Sequence, residues 1–247
     1  MERVRATLAD DYANNRYAKI VNDFPDEDSW VGLNHEELEM MLWAYHHHGI
    51  KLSKAEKPDC AEIKRVRETL LAVADYQWSI AVPGKGQEKG YYKIKPFGLF
   101  YLGFKGEALA LVEKGLQDYP TDLGIFNTKA TLMKYVGDNI GSMLVSVDAY
   151  AIAVRERKPR LAGNFARLIS DCLAAEQSIE AARAWLVVAI NDWRKSQRKT
   201  KRTPTPLSAK THIAGANRRM DELNEIIARR VQEHAVNMQI VKDFKFA

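Results

Sequence analysis

Few residues in this chain are placed to do chemistry. The run Tyr45-His46-His47-His48-Gly49 offers three imidazoles in a row. Successive side chains on a helix point about 100° apart, so the three rings fan out instead of converging. His48 falls on the apolar face shared by Leu38, Met41, Leu42 and Tyr45, with His46 and His47 outward. His35 and Glu39 have the i, i+4 spacing that suits a metal ligand pair on a helix, but no third ligand lies near them in sequence. The lysine- and glycine-rich stretch "PGKGQEKG", Pro83–Gly90, lacks the G-x4-GK-[ST] pattern of a phosphate loop and reads as a solvated loop. Cys60 and Cys172 form no CxxC pair and have no local activating partner, so both read as buried thiols. The carboxylates Asp10–Asp11 and Asp26-Glu27-Asp28 read as solvated surface. No G-x-S-x-G, H-E-x-x-H, G-x-G-x-x-G or calcium-loop pattern is present. The expectation is a non-enzyme with no catalytic residue, cofactor or metal.

The charge pattern is more informative. The formal net charge is +5, yet residues 194–247 hold 13 Lys/Arg against 5 Asp/Glu, leaving 24 against 27 in residues 1–193. Arg194, Lys195, Arg198, Lys199, Lys201 and Arg202 lie in one acid-free stretch that ends in Pro204 and Pro206. Such an arm can neutralise phosphates and give salt-dependent, sequence-independent affinity for nucleic acid. It lacks the interleaved aromatics of a single-strand binder. Hydrophobic residues make up 46 % and charged residues 28 %, enough to build a core. No apolar run is long enough to span a membrane, and the N-terminus carries acids in place of a secretory signal, so a cytoplasmic location is expected.

The elements that must position these groups are helices. One opens over about 3–22 and is stopped by Pro25. Asn34, with Glu37 three residues later, caps a second that ends at Gly49, and Pro58-Asp59 opens a third reaching about Ser79. The Gly- and Pro-rich loop breaks the helical pattern, and Tyr91–Lys95 is expected to be a short extended piece pairing with Ser79–Val82. Helical spacing then resumes over about 97–104, 106–118, 122–136, 139–156, 161–175 and 178–196, with connections short enough to make neighbours antiparallel. After a basic linker over 197–212, Met220, Leu223, Ile227, Val231, His234, Met238 and Val241 form one apolar stripe on a final helix over about 213–242.

Within "KGEALALVEKGLQDYP", Ala108, Val112, Gly115 and Pro120 fall at small-x3-large-x2-small-x4-Pro. This resembles the second helix of a tetratricopeptide (TPR) repeat. The family's period of about 34 residues leads from Ala108 to Ser142, with Ala149 matching Gly115, and places Ala130 in a preceding first helix with Gly137 in the turn. Ala182, Leu186 and Ala189 repeat the spacing after an insertion near Arg155–Arg160. The pattern departs from the family at Pro96, at Ser146 in the large-residue slot, and at Val154 and Arg194 in place of the closing proline. The expected fold is all-α, with antiparallel hairpins over 97–196 building a short TPR-like right-handed solenoid or an irregular bundle, after an N-terminal helical region over 1–95. The resemblance implies a protein-interaction scaffold that holds a partner peptide or helix in a groove of first helices. Its candidate contacts are Asn127, Lys129, Lys134, Asn164 and Arg167, and the nucleic-acid arm is the alternative.

Overall fold

The computed structural model describes residues 2–82, 85–199 and 209–245, with side chains described over 7–82, 85–196 and 211–233. The protein is all-α, with twelve helices and no strand among the described residues. The chain divides into two compact units, Met1–Leu132 and Met133–Ala247.

The first unit opens with α1 (Glu2–Ala13) and α2 (Tyr17–Asp23), where one helix over 3–22 was expected. Asn15 breaks it with φ 57°, a left-handed conformation that asparagine tolerates better than most residues. The break lets Asp11 turn inward. Its carboxylate is buried and accepts from Arg16 and Lys19, so it is an anchor and not solvated surface. Asp26 likewise has a structural task, capping the one-turn helix α3 (Glu27–Trp30) with Ser29. Asn34 accepts from the Glu36 and Glu37 amides, and the Glu37 carboxylate accepts back from the Asn34 amide at 2.7 Å, the expected start of α4 (His35–Ser53). Gly49 does not end that helix. It is buried inside the helix beside Val66 of α5 (Cys60–Ser79), where a Cβ would make an ordinary contact at 3.6 Å. Asp59 caps α5 through the Ala61 and Glu62 amides.

The expected extended piece at Tyr91–Lys95 is instead helix, part of α6 (Lys89–Tyr101), which continues through Pro96. Burial alternates along this stretch because α6 is buried on two sides. Ile94 joins the core of α1–α5, while Tyr92 and Phe97 join a second core with Ala108 and Val112 of α7 (Lys105–Asp118) and Ile125 and Leu132 of α8 (Leu123–Tyr135). Gly98 faces Leu70 and Leu71 of α5, where a Cβ would come within 2.8 Å. Gly115 of α7 faces Tyr92 at the same distance, and the Tyr92 hydroxyl donates to Asp118 at 2.7 Å. The buried ring is therefore held at both ends. Gly115→Ala is expected to destabilise the first unit by about 1–2 kcal/mol, overpacking outweighing the better helix propensity of alanine. A lowered urea midpoint checks this.

The second unit is built on α9 (Asn139–Arg155), α10 (Pro159–Ala175), α11 (Ile179–Lys199) and α12 (Ala209–Lys245). Helix α10 packs on α9 and α11, and α11 packs on α12. Asp138 caps α9 through the Gly141 amide. Ser142, Ser146, Ala149 and Ala153 form its buried stripe, and the Ser146 hydroxyl donates to the Ser142 carbonyl. A small residue at 146 thus gives close packing where a large one was expected. Pro159 opens α10 at its first position, where the missing N–H costs nothing. Helix α11 continues through Lys199 and α12 begins at Ala209, so helix covers both ends of the stretch read as a 197–212 linker. Leu223 is fully buried and Met220 and Ile227 pack beside it against α11, so this part of the final stripe docks on its own unit. Val231 is exposed, and the side chains of His234, Met238 and Val241 lie outside the described residues.

Candidate functional site

The histidine run is resolved differently from its helical-wheel reading. His46, not His48, is the buried ring, packed 4.6 Å from the Phe97 ring and edge-on to Trp43. His47 stacks on Tyr17 and Trp43, and His48 is half-buried. The apolar face of α4 is broader than one stripe because α6 covers a side that periodicity along α4 alone does not reveal. Burial, with smaller contributions from His47 and Arg67, pulls His46 down to about 3, and burial also lowers His47 and His48. No group of three or more His, Cys, Asp or Glu side chains is placed to hold a metal among the described residues. Cys172 is buried and its thiol is pushed up by burial, whereas Cys60, at the start of α5, is exposed against expectation.

The five groove residues fall in different surroundings. Asn127 and Lys129 belong to the first unit, where Asn127 is half-buried and Lys129 pairs with Glu113 of α7 at 2.6 Å. Asn164, in the second unit, accepts from the Trp193 indole at 3.0 Å and is committed to fastening α10 to α11. Lys134 and Arg167 are brought together. Both reach Asp171 of α10, Lys134 at 2.9 Å and Arg167 at 3.9 Å.

Helix α12 adds two more cations to this pair. Lys134, Arg167, Arg218 and Arg219 line a cleft of about 560 Å³ whose apolar wall includes Leu186 and Ala216. Asp171 is its one lining carboxylate among the described residues. Arg219 pairs with Glu222 at 2.6 Å on the exposed side of α12. Arg218 is exposed and has no ion pair or hydrogen bond among the described residues. Guanidinium groups present a planar fork of donors that matches a carboxylate or phosphate in two-point contact, and they stay charged at any physiological pH. The arrangement therefore carries an excess of positive charge over a partly apolar floor. Sequence reasoning found Lys134 and Arg167 but missed Asp171, Arg218 and Arg219. The adjacent pair Arg218-Arg219 was the available signal, overlooked because α12 was read only for its apolar stripe. His212, nearly two turns earlier on α12, stacks on Trp193 with ring centroids 5.1 Å apart. Burial lowers its pKa, with Arg160 and Arg167 adding to the effect, which keeps it neutral near pH 7.

Of the arm residues, Arg194 and Lys195 are exposed on α11. Lys195 pairs with Asp192 at 2.8 Å, and the Tyr150 hydroxyl donates to that same buried carboxylate at 3.2 Å. Arg198 and Lys199 are helical in backbone, with side chains outside the described residues, and Lys201 and Arg202 lie wholly outside them. Among the described residues no helix is long and apolar enough to cross a membrane. Comparison with protein-family models and with curated proteins returned no match for this chain.

Proposed function

We propose that this chain is a protein-interaction scaffold, TPR-like over residues 97–196, that binds an acidic peptide segment of a partner in the cleft of its second unit. The observation that carries the reading is that Lys134, Arg167, Arg218 and Arg219 line one cleft, in which Asp171 pairs with the first two alone among the four. The two arginines of α12 grip acidic side chains or a terminal carboxylate by paired N–H donors, and the apolar wall at Leu186 and Ala216 accepts aliphatic parts of the peptide. Asp171 holds Lys134 and Arg167 by ion pairs and offsets part of the like-charge repulsion between them. The period-34 spacing and the small-residue stripes of α7 and α9 support the TPR-like assignment, since close helix pairing is what those residues provide.

The test uses a fluorescein-labelled decapeptide alternating glutamate and leucine, titrated with the full chain and followed by anisotropy. Arg167→Glu/Arg218→Glu is expected to weaken binding at least tenfold while leaving the melting temperature within about 2 °C, because both side chains are exposed. Equal affinity for the two proteins would sink the reading. The same titration with a labelled 20-mer oligonucleotide tests the alternative of phosphate contacts along Arg194–Arg202. Binding that collapses between 50 and 200 mM salt and ignores Arg167→Glu/Arg218→Glu would favour that alternative.

A further inference from the structure

Helix α9 carries a second stripe that its own unit does not bury. Ile140, Leu144, Val147 and Val154 are 58 %, 58 %, 40 % and 51 % exposed, and Ala151 between them is exposed as well. Their spacing is 4, 3, 4, 3, the period of a two-helix seam. The stripe lies opposite the small residues Ser142, Ser146, Ala149 and Ala153 that pack α9 into its unit. In 17 residues the helix holds one acid, Asp148, and one base, Arg155, so little opposes desolvation of this face. Four large apolar side chains in line on a solvent-facing helix form a contiguous patch, unlike scattered exposed residues.

The charges at the two ends say what covers it. At the N-terminal end stand Asp138 and Glu176, the latter accepting from Asn139 at 3.0 Å. At the C-terminal end stand Arg155, Arg157 and Lys158, with Glu156 paired to Lys158. A second α9 running the opposite way about Val147 sets each acidic end against a basic end. It also opposes the helix dipoles and sets large residues across from smaller ones: Ile140 meets Val154, Leu144 meets Ala151, and Val147 meets itself. We infer that two copies of this chain associate through the exposed face of α9 as an antiparallel, two-fold symmetric pair. Asp148 is the opposing element. It stands exposed beside Val147 and meets its own copy near the axis, which keeps the association reversible. This inference is independent of the cleft reading.

Sedimentation equilibrium of the full chain from 1 to 100 µM is the test. The native chain is expected to dimerise in this range, and Leu144→Glu/Val147→Glu to stay monomeric with unchanged helical circular dichroism, since both positions are exposed. Asp148→Asn is expected to lower the dimer dissociation constant at least fivefold. Orientation is read by oxidation in a Cys60→Ser background, needed because Cys60 is exposed. Val147→Cys should cross-link to its own copy, whereas Ile140→Cys should not, its two copies being about 21 Å apart in an antiparallel pair. A native chain that is monomeric at 100 µM, a dimer unaffected by Leu144→Glu/Val147→Glu, or cross-linking of Ile140→Cys as fast as Val147→Cys would each overturn the inference.

Discussion

Trp193→Ala is expected to remove about 3–5 kcal/mol from the stability of the second unit, the range for truncating a large buried aromatic. The indole is fully buried and touches three helices at once. On its own α11 it belongs to the core with Leu186 and Ile190. Toward α10 it lies over Gly163, where a Cβ would come within 2.6 Å of the ring, and it donates to Asn164. Toward α12 it stacks on His212. The cavity left by alanine cannot be filled by neighbours already closely packed, so the loss is not recovered by relaxation. Trp193→Phe retains most of the volume but leaves Asn164 without its donor, and about 1–2 kcal/mol is expected from that loss. Urea unfolding measures both. Hydrogen exchange supplies a second readout, because amides of α12 near His212 should lose protection in Trp193→Ala ahead of those in α4 and α5. A cost below 1 kcal/mol for the alanine variant would show that the ring does not join these helices. On the proposed function, the same variant should also weaken binding of the acidic peptide, since Arg218 and Arg219 line the cleft from α12.

The second large effect is loss of stability in mild acid. His46 is neutral in the folded chain because its surroundings exclude the charged form, and its pKa is pulled to about 3. A base with a depressed folded pKa contributes fully above its unfolded value near 6.5, and that contribution falls as pH drops toward the folded value. The first unit should therefore begin to weaken below pH 6.5, with about 4–5 kcal/mol lost through His46 by pH 3. His47 and His48 shift in the same direction and steepen the decline. The carboxylates act in a lower window. Asp11 is held below its ordinary 3.8 chiefly by its hydrogen bond from Lys19, and Glu62 below 4.5 chiefly by that from Arg65, so their contributions persist until those values are passed. Loss between pH 6.5 and 4.5 thus belongs to the histidines. Denaturant midpoints of the native chain and His46→Gln at pH 7.5 and 5 check this. The variant should start less stable and lose less between the two pH values. Equal losses would remove His46 as the cause.

Local signals in the sequence were reliable where the cause was local. The Asn34–Glu37 capping box, the helix start at Pro58-Asp59 and the buried series Ala108, Val112, Gly115 are all present as read, because each depends on hydrogen bonds or packing within a few residues. The misreadings share one origin. Burial alternates along Tyr91–Lys95 because two different cores claim opposite sides of α6, a cause that periodicity along one segment does not reveal. Gly49 resembled a helix stop, but the helix runs on through it to Ser53, because α5 packs against this turn and buries it. His46 was placed outside because the face covering it comes from Phe97, fifty-one residues later. The cleft was legible only in part. Lys134 and Arg167 stood out as polar residues on first helices, whereas Arg218 and Arg219 enter it through the docking of α12. The sequence by itself determined that the chain is helical, where most helices begin, and which small residues allow them to pair, since propensity, capping and i, i+4 spacing act over one or two turns. Only the tertiary structure decided which charges converge and which apolar stripe, that of α9, stays uncovered. Both depend on residues from separate helices meeting in space, and no short-range pattern records that.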